Sequence, residues 1–356
     1  MKNLVIFQIT RQETMYSIKS KNFYFNNLNP NLYMNGKAPV KKSEPETPQK
    51  RPYKECLRIV ITGNITAFTV GALAYYFLSP FHPNPLINTF ILDAIVTSVL
   101  FLFSFTFNNY AFYDPYWGHI PGPLTIFWVF TSKKPVSIEH ICIMMTGVLY
   151  ALRHLYMYFR MWTGFDYQDF RYTLIKNFFG HKYRFFFWMF SYFGFHMFAT
   201  FIVLVAMWPV YLTIEGNIVH PAIFYFAFLF TNGATLLEHI ADCQLYPWRM
   251  KKSDQYIDEG LWRYSRHPNY VGEVLCWVGF YLMYWSTDGT QQYTWAGALS
   301  IYLLFEIITI SMMEYHLLKK RPIYAVQQKR VSRLWFWFRN EKAASEYEKK
   351  LKLKSN

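Results

Sequence analysis

A chain of 356 residues that is 53% hydrophobic and 21% aromatic, with only 16% charged side chains, is too apolar for a soluble domain of ordinary composition. Its formal net charge of +14 would point to nucleic acid if the cations formed a stripe on a soluble fold. They lie instead between apolar segments, where lipid headgroups, membrane topology and a polyanionic ligand account for them, so nucleic acid is excluded and membrane lipids are expected partners. The four cysteines, Cys56, Cys142, Cys243 and Cys276, are scattered and lack ligand spacing, so neither a disulfide framework nor a metal site is expected.

Residues 1–55 are polar and basic and end in the Pro-rich run 41–52, which reads as an extended arm without a core of its own. Its glutamates spoil a mitochondrial targeting signature, and no secretory hydrophobic region is present. Apolar segments follow at about 59–78, 86–107, 117–131, 137–152, 185–208, 218–238, 269–286 and 294–313, each long enough or nearly so to span a bilayer. The third is short and carries Pro121 and Pro123, which also fits a re-entrant segment. The connections near 79–85, 208–217 and 287–293 contain no Lys or Arg, whereas the arm, the 153–184 and 239–268 loops and the tail are basic. These charges agree with one another only if 117–131 and 137–152 cross as a pair that turns at 131–135. The expected fold is therefore an all-α polytopic membrane bundle of about seven to eight transmembrane helices, eight being preferred, with both termini on the cytoplasmic side. A membrane domain over 56–338 and a charged tail over 339–356 complete the division, and the aromatic run 335–338 suits a membrane surface.

Polar clusters punctuate this pattern. Asp93 sits inside the second span and needs a partner. In 108–117 an Asp-Pro turn framed by aromatics reads either as an interfacial belt or as a pocket wall with Tyr113 as a proton donor. Glu238 and Asp242 fall at i and i+4 on one face as the sixth span ends, either as a polar cap or, with Gln244, as hydrogen-bonding groups for a ligand. The densest cluster is Gly260-Leu-Trp-Arg-Tyr-Ser-Arg-His-Pro-Asn-Tyr-Val-Gly-Glu273. Pro268 marks a first helical position, so Arg263, Arg266 and His267 stand beside the free N–H groups of a helix start, a place suited to an anion. Tyr270, Glu273, Trp277 and Tyr281 then line one face. A carboxylate one turn into an apolar span costs roughly 2.5 to 3.5 kcal/mol, so Glu273 is expected to face protein or a cavity. In the last span Glu306 and Glu314 lie on roughly one side, followed by the cations Lys320 and Arg321 and by Tyr324.

The 260–273 stretch resembles the signature of the steroid 5-alpha-reductase C-terminal family, most closely its uncharacterised, domain-of-unknown-function branch. Its Arg-His-Pro-x-Tyr-x-Gly core is similar to sterol reductases and isoprenylcysteine carboxyl methyltransferases too, so the core alone leaves NADPH and S-adenosylmethionine open. The longer match favours a reductase. The resemblance extends to Tyr113-Asp-Pro-Tyr-Trp117, to Arg153, Tyr156, Asp169, Arg171 and Tyr172, to Asp242 and Gln244, and to the closing Glu314, Arg321 and Tyr324. Met157 and Gln168 depart from it, standing where the family has an amide and an acid.

The resemblance implies an NADPH-dependent reduction of a double bond in a lipid or steroid-like substrate. Its cofactor residues would be Arg263, Arg266, His267, Asn269, Tyr270, Glu273, Asp242, Gln244, Arg171, Tyr172, Glu314, Arg321 and Tyr324, with the proton donor unassigned. The membrane would be the endoplasmic reticulum or the mitochondrial inner membrane. Two alternatives stand beside it: a methyltransferase using S-adenosylmethionine, and a non-catalytic subunit of a larger membrane complex, without a cofactor, tethered through residues 1–55.

Overall fold

A computed structural model describes residues 51–180, 182–251 and 255–355, so expectations for the arm before residue 51 lie outside the described residues. The described residues are helical throughout, without a strand. We number the helices α1 (Tyr53–Leu78), α2 (Pro85–Phe107), α3 (Asp114–His119), α4 (Pro121–Thr131), α5 (Ile138–Met161), α6 (Phe170–Phe179), α7 (Arg184–Glu215), α8 (Pro221–Met250), α9 (Pro268–Tyr284), α10 (Ala296–Lys320), α11 (Tyr324–Arg330) and α12 (Glu341–Ser355).

Local chemistry sets these limits. Asn84 caps α2 by accepting from the Leu86 and Ile87 N–H groups, and Asn108 ends it in a left-handed conformation at φ 50°. Ser137 and His140 form a reciprocal capping box at the start of α5. Proline opens α8 and α9, where its missing N–H has no intrahelical acceptor to lose. α1 begins at Tyr53 rather than near 59, because a helix accommodates Lys54, Glu55 and Arg58 that an apolar window rejects. α8 continues past the expected 238 to Met250, carrying its polar last turns out of the apolar layer.

Six helices, α1, α2, α5, α7, α8 and α10, are long and apolar enough to cross a membrane. The other two expected segments are α4, with 11 residues, and α9, with 17. At 1.5 Å per residue α9 is about 25 Å long, near the thickness of the hydrocarbon layer, whereas α4 is about 16 Å. The third segment is split at Ile120, where α3 meets the Pro121 start of α4.

Hydrogen bonds between connections define two ends of the bundle. Lys134 Nζ donates to the Gly216 carbonyl at 2.6 Å and to Asn217 Oδ1 at 3.0 Å. The Asn217 N–H donates to Asp288 Oδ1 at 3.0 Å, and Trp128 Nε1, near the end of α4, donates to Thr89 Oγ1 near the start of α2 at 3.1 Å. The turns at 79–84, 132–137, 216–220 and 285–295 therefore share one end, where Lys133 and Lys134 are the only cations of these turns. The basic connections and the tail occupy the other end. α4 and α5 form the antiparallel pair that the charge pattern requires.

The core sits around α9, which packs most extensively against α8 and next against α7. A Cβ on Gly272 would meet the Glu238 backbone nitrogen at 2.7 Å, and one on Gly279 would meet Thr231 Oγ1 at 2.1 Å. Two glycines seven residues apart thus let the backbones of α8 and α9 approach closely.

Candidate functional site at the basic end

α5, α8 and α9 converge on a buried polar cluster near the basic end. Arg153 of α5 reaches across to α8, placing Nη1 2.6 Å from Glu238 Oε1 and Nη2 against Asp242 Oδ2. The spacing of Glu238 and Asp242, one helical turn apart, matches the fork of one guanidinium. Asn269 Nδ2 of α9 donates to the other oxygen of Asp242 at 3.1 Å. Glu273, 1% exposed, accepts at Oε1 from the Tyr150 hydroxyl at 2.7 Å and from Trp277 Nε1 at 2.9 Å. Its Oε2 lies 3.3 Å from His154 Nε2. The expected interior placement of Glu273 is thus realised by enclosure in protein, with Trp277 one turn on as a partner.

A second cluster forms around Glu314 of α10. Arg266 Nε stands 2.9 Å from Glu314 Oε1, and His267 Nε2 stands 3.2 Å from the same oxygen. The Tyr324 hydroxyl donates to that oxygen at 3.3 Å, and Gln328 Nε2 donates to Oε2 at 3.0 Å. Arg266 and His267 at the α9 start therefore meet a carboxyl group belonging to the chain itself. Tyr270 stacks on His267 with ring centres 5.4 Å apart and shares the edge between the two clusters with Asn269. Arg263 is exposed on the short 3-10 turn Gly260–Arg263.

Other expected residues have contacts of their own within the chain. Gln244 Oε1 accepts from the Leu261 N–H at 2.9 Å, and Gly260, at φ 56°, lies so near the Gln244 amide that a Cβ would fall 2.4 Å from Oε1. Arg171 pairs with Asp169 at 2.8 Å, and the Tyr172 hydroxyl donates to Asp114. Burial pushes the Asp114 carboxyl up to about 7. The Arg321 guanidinium lies 4.6 Å from the centre of the Trp248 ring. Glu306 is 3.5 Å from Arg333 and does not join Glu314, since the π-helical turn Leu304–Thr309 interrupts the regular register between them.

Tyr150 and His154 carry no expectation from the sequence, yet both touch Glu273. The available signal was their i, i+4 spacing on the face next to Arg153. Asp93 finds its partner in the Tyr116 hydroxyl, inside a separate buried network where the Tyr113 hydroxyl donates to the His196 carbonyl at 2.7 Å. Tyr113 is 2% exposed. Grooves of about 340 Å³, beside Asn64, Phe68 and His119, and about 430 Å³, beside Lys134 and Asn217, lie away from Glu273 and Glu314.

Helix lengths, buried polar clusters and the two-ended charge distribution define a polytopic helical membrane protein. Residues 100–331 match the family described as a protein of unknown function (DUF1295), and the chain belongs to that family. An uncharacterised protein of Schizosaccharomyces pombe is 22% identical over 290 residues, covering 72% of this chain and 80% of the yeast protein. No solved structure matches.

Proposed function

We propose that this protein is a membrane oxidoreductase of the steroid 5-alpha-reductase type, reducing an activated double bond of a lipid with NADPH. The observation that carries the reading is convergence. Arg153, Asp242, Asn269, Glu273, Arg266, Glu314 and Tyr324, which come from five separate helices and one loop, gather in two adjoining clusters at the basic end. Each belongs to a stretch that resembles that family.

The residues present fit a dinucleotide at the rim of the clusters. Arg263 is exposed there, Asn269 Oδ1 is buried without a hydrogen-bond partner, and Arg171 and Tyr270 are half-buried. Arg263 and Arg171 would meet phosphates, while Asn269 and Tyr270 would orient the remainder. Such a cofactor supplies the hydride; the protein supplies orientation and charge. Glu273, Tyr150 and Trp277 are enclosed, so they hold the start of α9 in place beneath the rim.

Detergent-purified protein is expected to bind NADPH more tightly than NADH, because the rim cations offer the extra phosphate a charge-assisted partner. Arg263→Ala is expected to weaken NADPH by roughly tenfold without changing elution on size exclusion, since the residue is exposed. Fluorescence titration decides this. Binding of neither nucleotide, together with binding of S-adenosylmethionine, would replace the reductase by the methyltransferase.

Two observations favour the non-catalytic reading. Glu273 and Glu314 already have internal partners, and the buried Met157 replaces the family's amide. Absence of binding to NADPH, NADH and S-adenosylmethionine alike would select that reading.

A further inference from the structure

Carboxyl groups outnumber the guanidinium around Arg153. Three carboxyl groups, Glu238, Asp242 and Glu273, surround this one guanidinium, and among the described residues the other basic side chain against them is His154. With all three carboxyls ionised and the imidazole neutral, two negative charges would remain. Glu238 is 5% exposed and Glu273 1%, so water does not disperse that excess.

The proton positions sharpen the point. His154 Nδ1 lies 3.0 Å from the Tyr150 carbonyl, which can only accept, so Nδ1 carries the proton and Nε2 of the neutral ring presents a lone pair. That lone pair has Arg153 Nη1 at 3.0 Å as its donor, with Glu273 Oε2 at 3.3 Å and Glu238 Oε1 at 4.0 Å beside it. Glu273 has committed its other oxygen to Tyr150 and Trp277, leaving Oε2 buried without a hydrogen-bond partner, and Glu238 Oε2 is in the same condition. One ligand atom from each of His154, Glu238 and Glu273 can be chosen so that all three lie within 4.8 Å of one another. Ligands about 2.1 Å from a common ion sit roughly 3.4 Å apart in a tetrahedral set, so a small inward movement completes the site.

We propose that His154, Glu238 and Glu273 bind a single divalent first-row transition ion such as Zn²⁺ or Mn²⁺. Its two positive charges cancel the excess. The imidazole ligand separates it from Mg²⁺ and Ca²⁺, which take oxygen donors. The supports found around protein-bound metals are already in place: an imidazole whose far nitrogen donates to a carbonyl, and a carboxylate whose second oxygen is held by two donors. The ring is also fixed from its other side, since Gly118 of α3 packs so closely that a Cβ there would lie 2.8 Å from it. Arg153 Nη1 stands 3.0 Å from His154 Nε2 and 2.6 Å from Glu238 Oε1, so it is the group that must yield to the ion, while Nη2 keeps Asp242.

The test is metal content and does not depend on NADPH binding. Full-length protein purified without chelator is analysed by inductively coupled plasma mass spectrometry, with about one ion per chain expected, as for any single protein-bound metal. His154→Gln and Glu238→Gln should lose it, while Asp93→Asn, which alters a buried carboxylate in the separate network, should keep it. If the first two variants do not fold, chelator-treated native protein is titrated with Co²⁺, and visible absorption bands saturating near one equivalent are expected. No ion in the native protein and no bands on titration would show that protons hold the charge. Retention of the ion by both folded variants would place it elsewhere, and either result overturns the proposal.

Discussion

Arg153 is the side chain whose loss the bundle would tolerate least. Its guanidinium is 7% exposed and divides itself between Glu238 and Asp242, so replacing it leaves two carboxylates facing each other in a low-dielectric interior. Arg153→Met keeps much of the volume and removes the charge. Breaking a buried pair from one side typically costs about 3–5 kcal/mol, and a comparable fall in thermal stability in detergent is expected. Arg153→Lys should recover only part of it, since an ammonium lacks the planar fork that reaches two acceptors. If Arg153→Met melts with the native protein, the cluster is not what joins α5 to α8. At this scale the sequence spoke unevenly. Asp242 and the α9 cations stood out through spacing and charge and Gln244 through the family resemblance, but their partners did not. Tyr150 and His154 are ordinary members of an amphipathic helix until the fold places them against Glu273, more than a hundred positions away.

The pairing of α8 with α9 is the element-level device that makes both clusters possible. Gly272 and Gly279 bring the backbones close enough for Glu238 and Glu273 to share one small volume. Gly272→Leu would drive a branched side chain into the Glu238 backbone, which has no flexible end to move. The helices would have to separate, and small-residue seams of this kind are where membrane helices gain most of their packing. A lower melting temperature is expected, along with loss of whatever ligand or ion the native clusters hold. Gly233→Leu, on the same helix pair but with nothing within 4 Å of its Cβ direction, should change neither by comparison. Equal behaviour of the two variants would remove the seam from the account. The start of α9 at Pro268 was legible because proline and the preceding polar run mark a helix start. The early beginning of α1 and the long end of α8 were not, because hydropathy reports where a chain prefers lipid and helices continue beyond that point.

For the whole molecule, the charge pattern carried more topological information than the apolar segments did. Hydropathy alone left the short α4 undecided, and its 11 residues remain too few to cross a full hydrocarbon layer unaided. The Lys- and Arg-free connections required α4 and α5 to turn together, and Lys134 now joins that turn to Gly216 and Asn217, which in turn meet Asp288. A sequence holds such a constraint only collectively, since no single loop fixes the others. The arrangement leads to a direct measurement. In a background with Cys142 and Cys243 changed to serine, single cysteines are introduced at Asn84, Gln291 and Arg263, and sealed vesicles of known orientation are treated with a membrane-impermeant maleimide. Asn84→Cys and Gln291→Cys should react from one face and Arg263→Cys only from the other, with Arg263 on the face where positive loops are retained. Reaction of Gln291→Cys and Arg263→Cys from the same face would mean that α9 does not cross, and α9 would then become a re-entrant helix carrying Glu273 into the membrane and back.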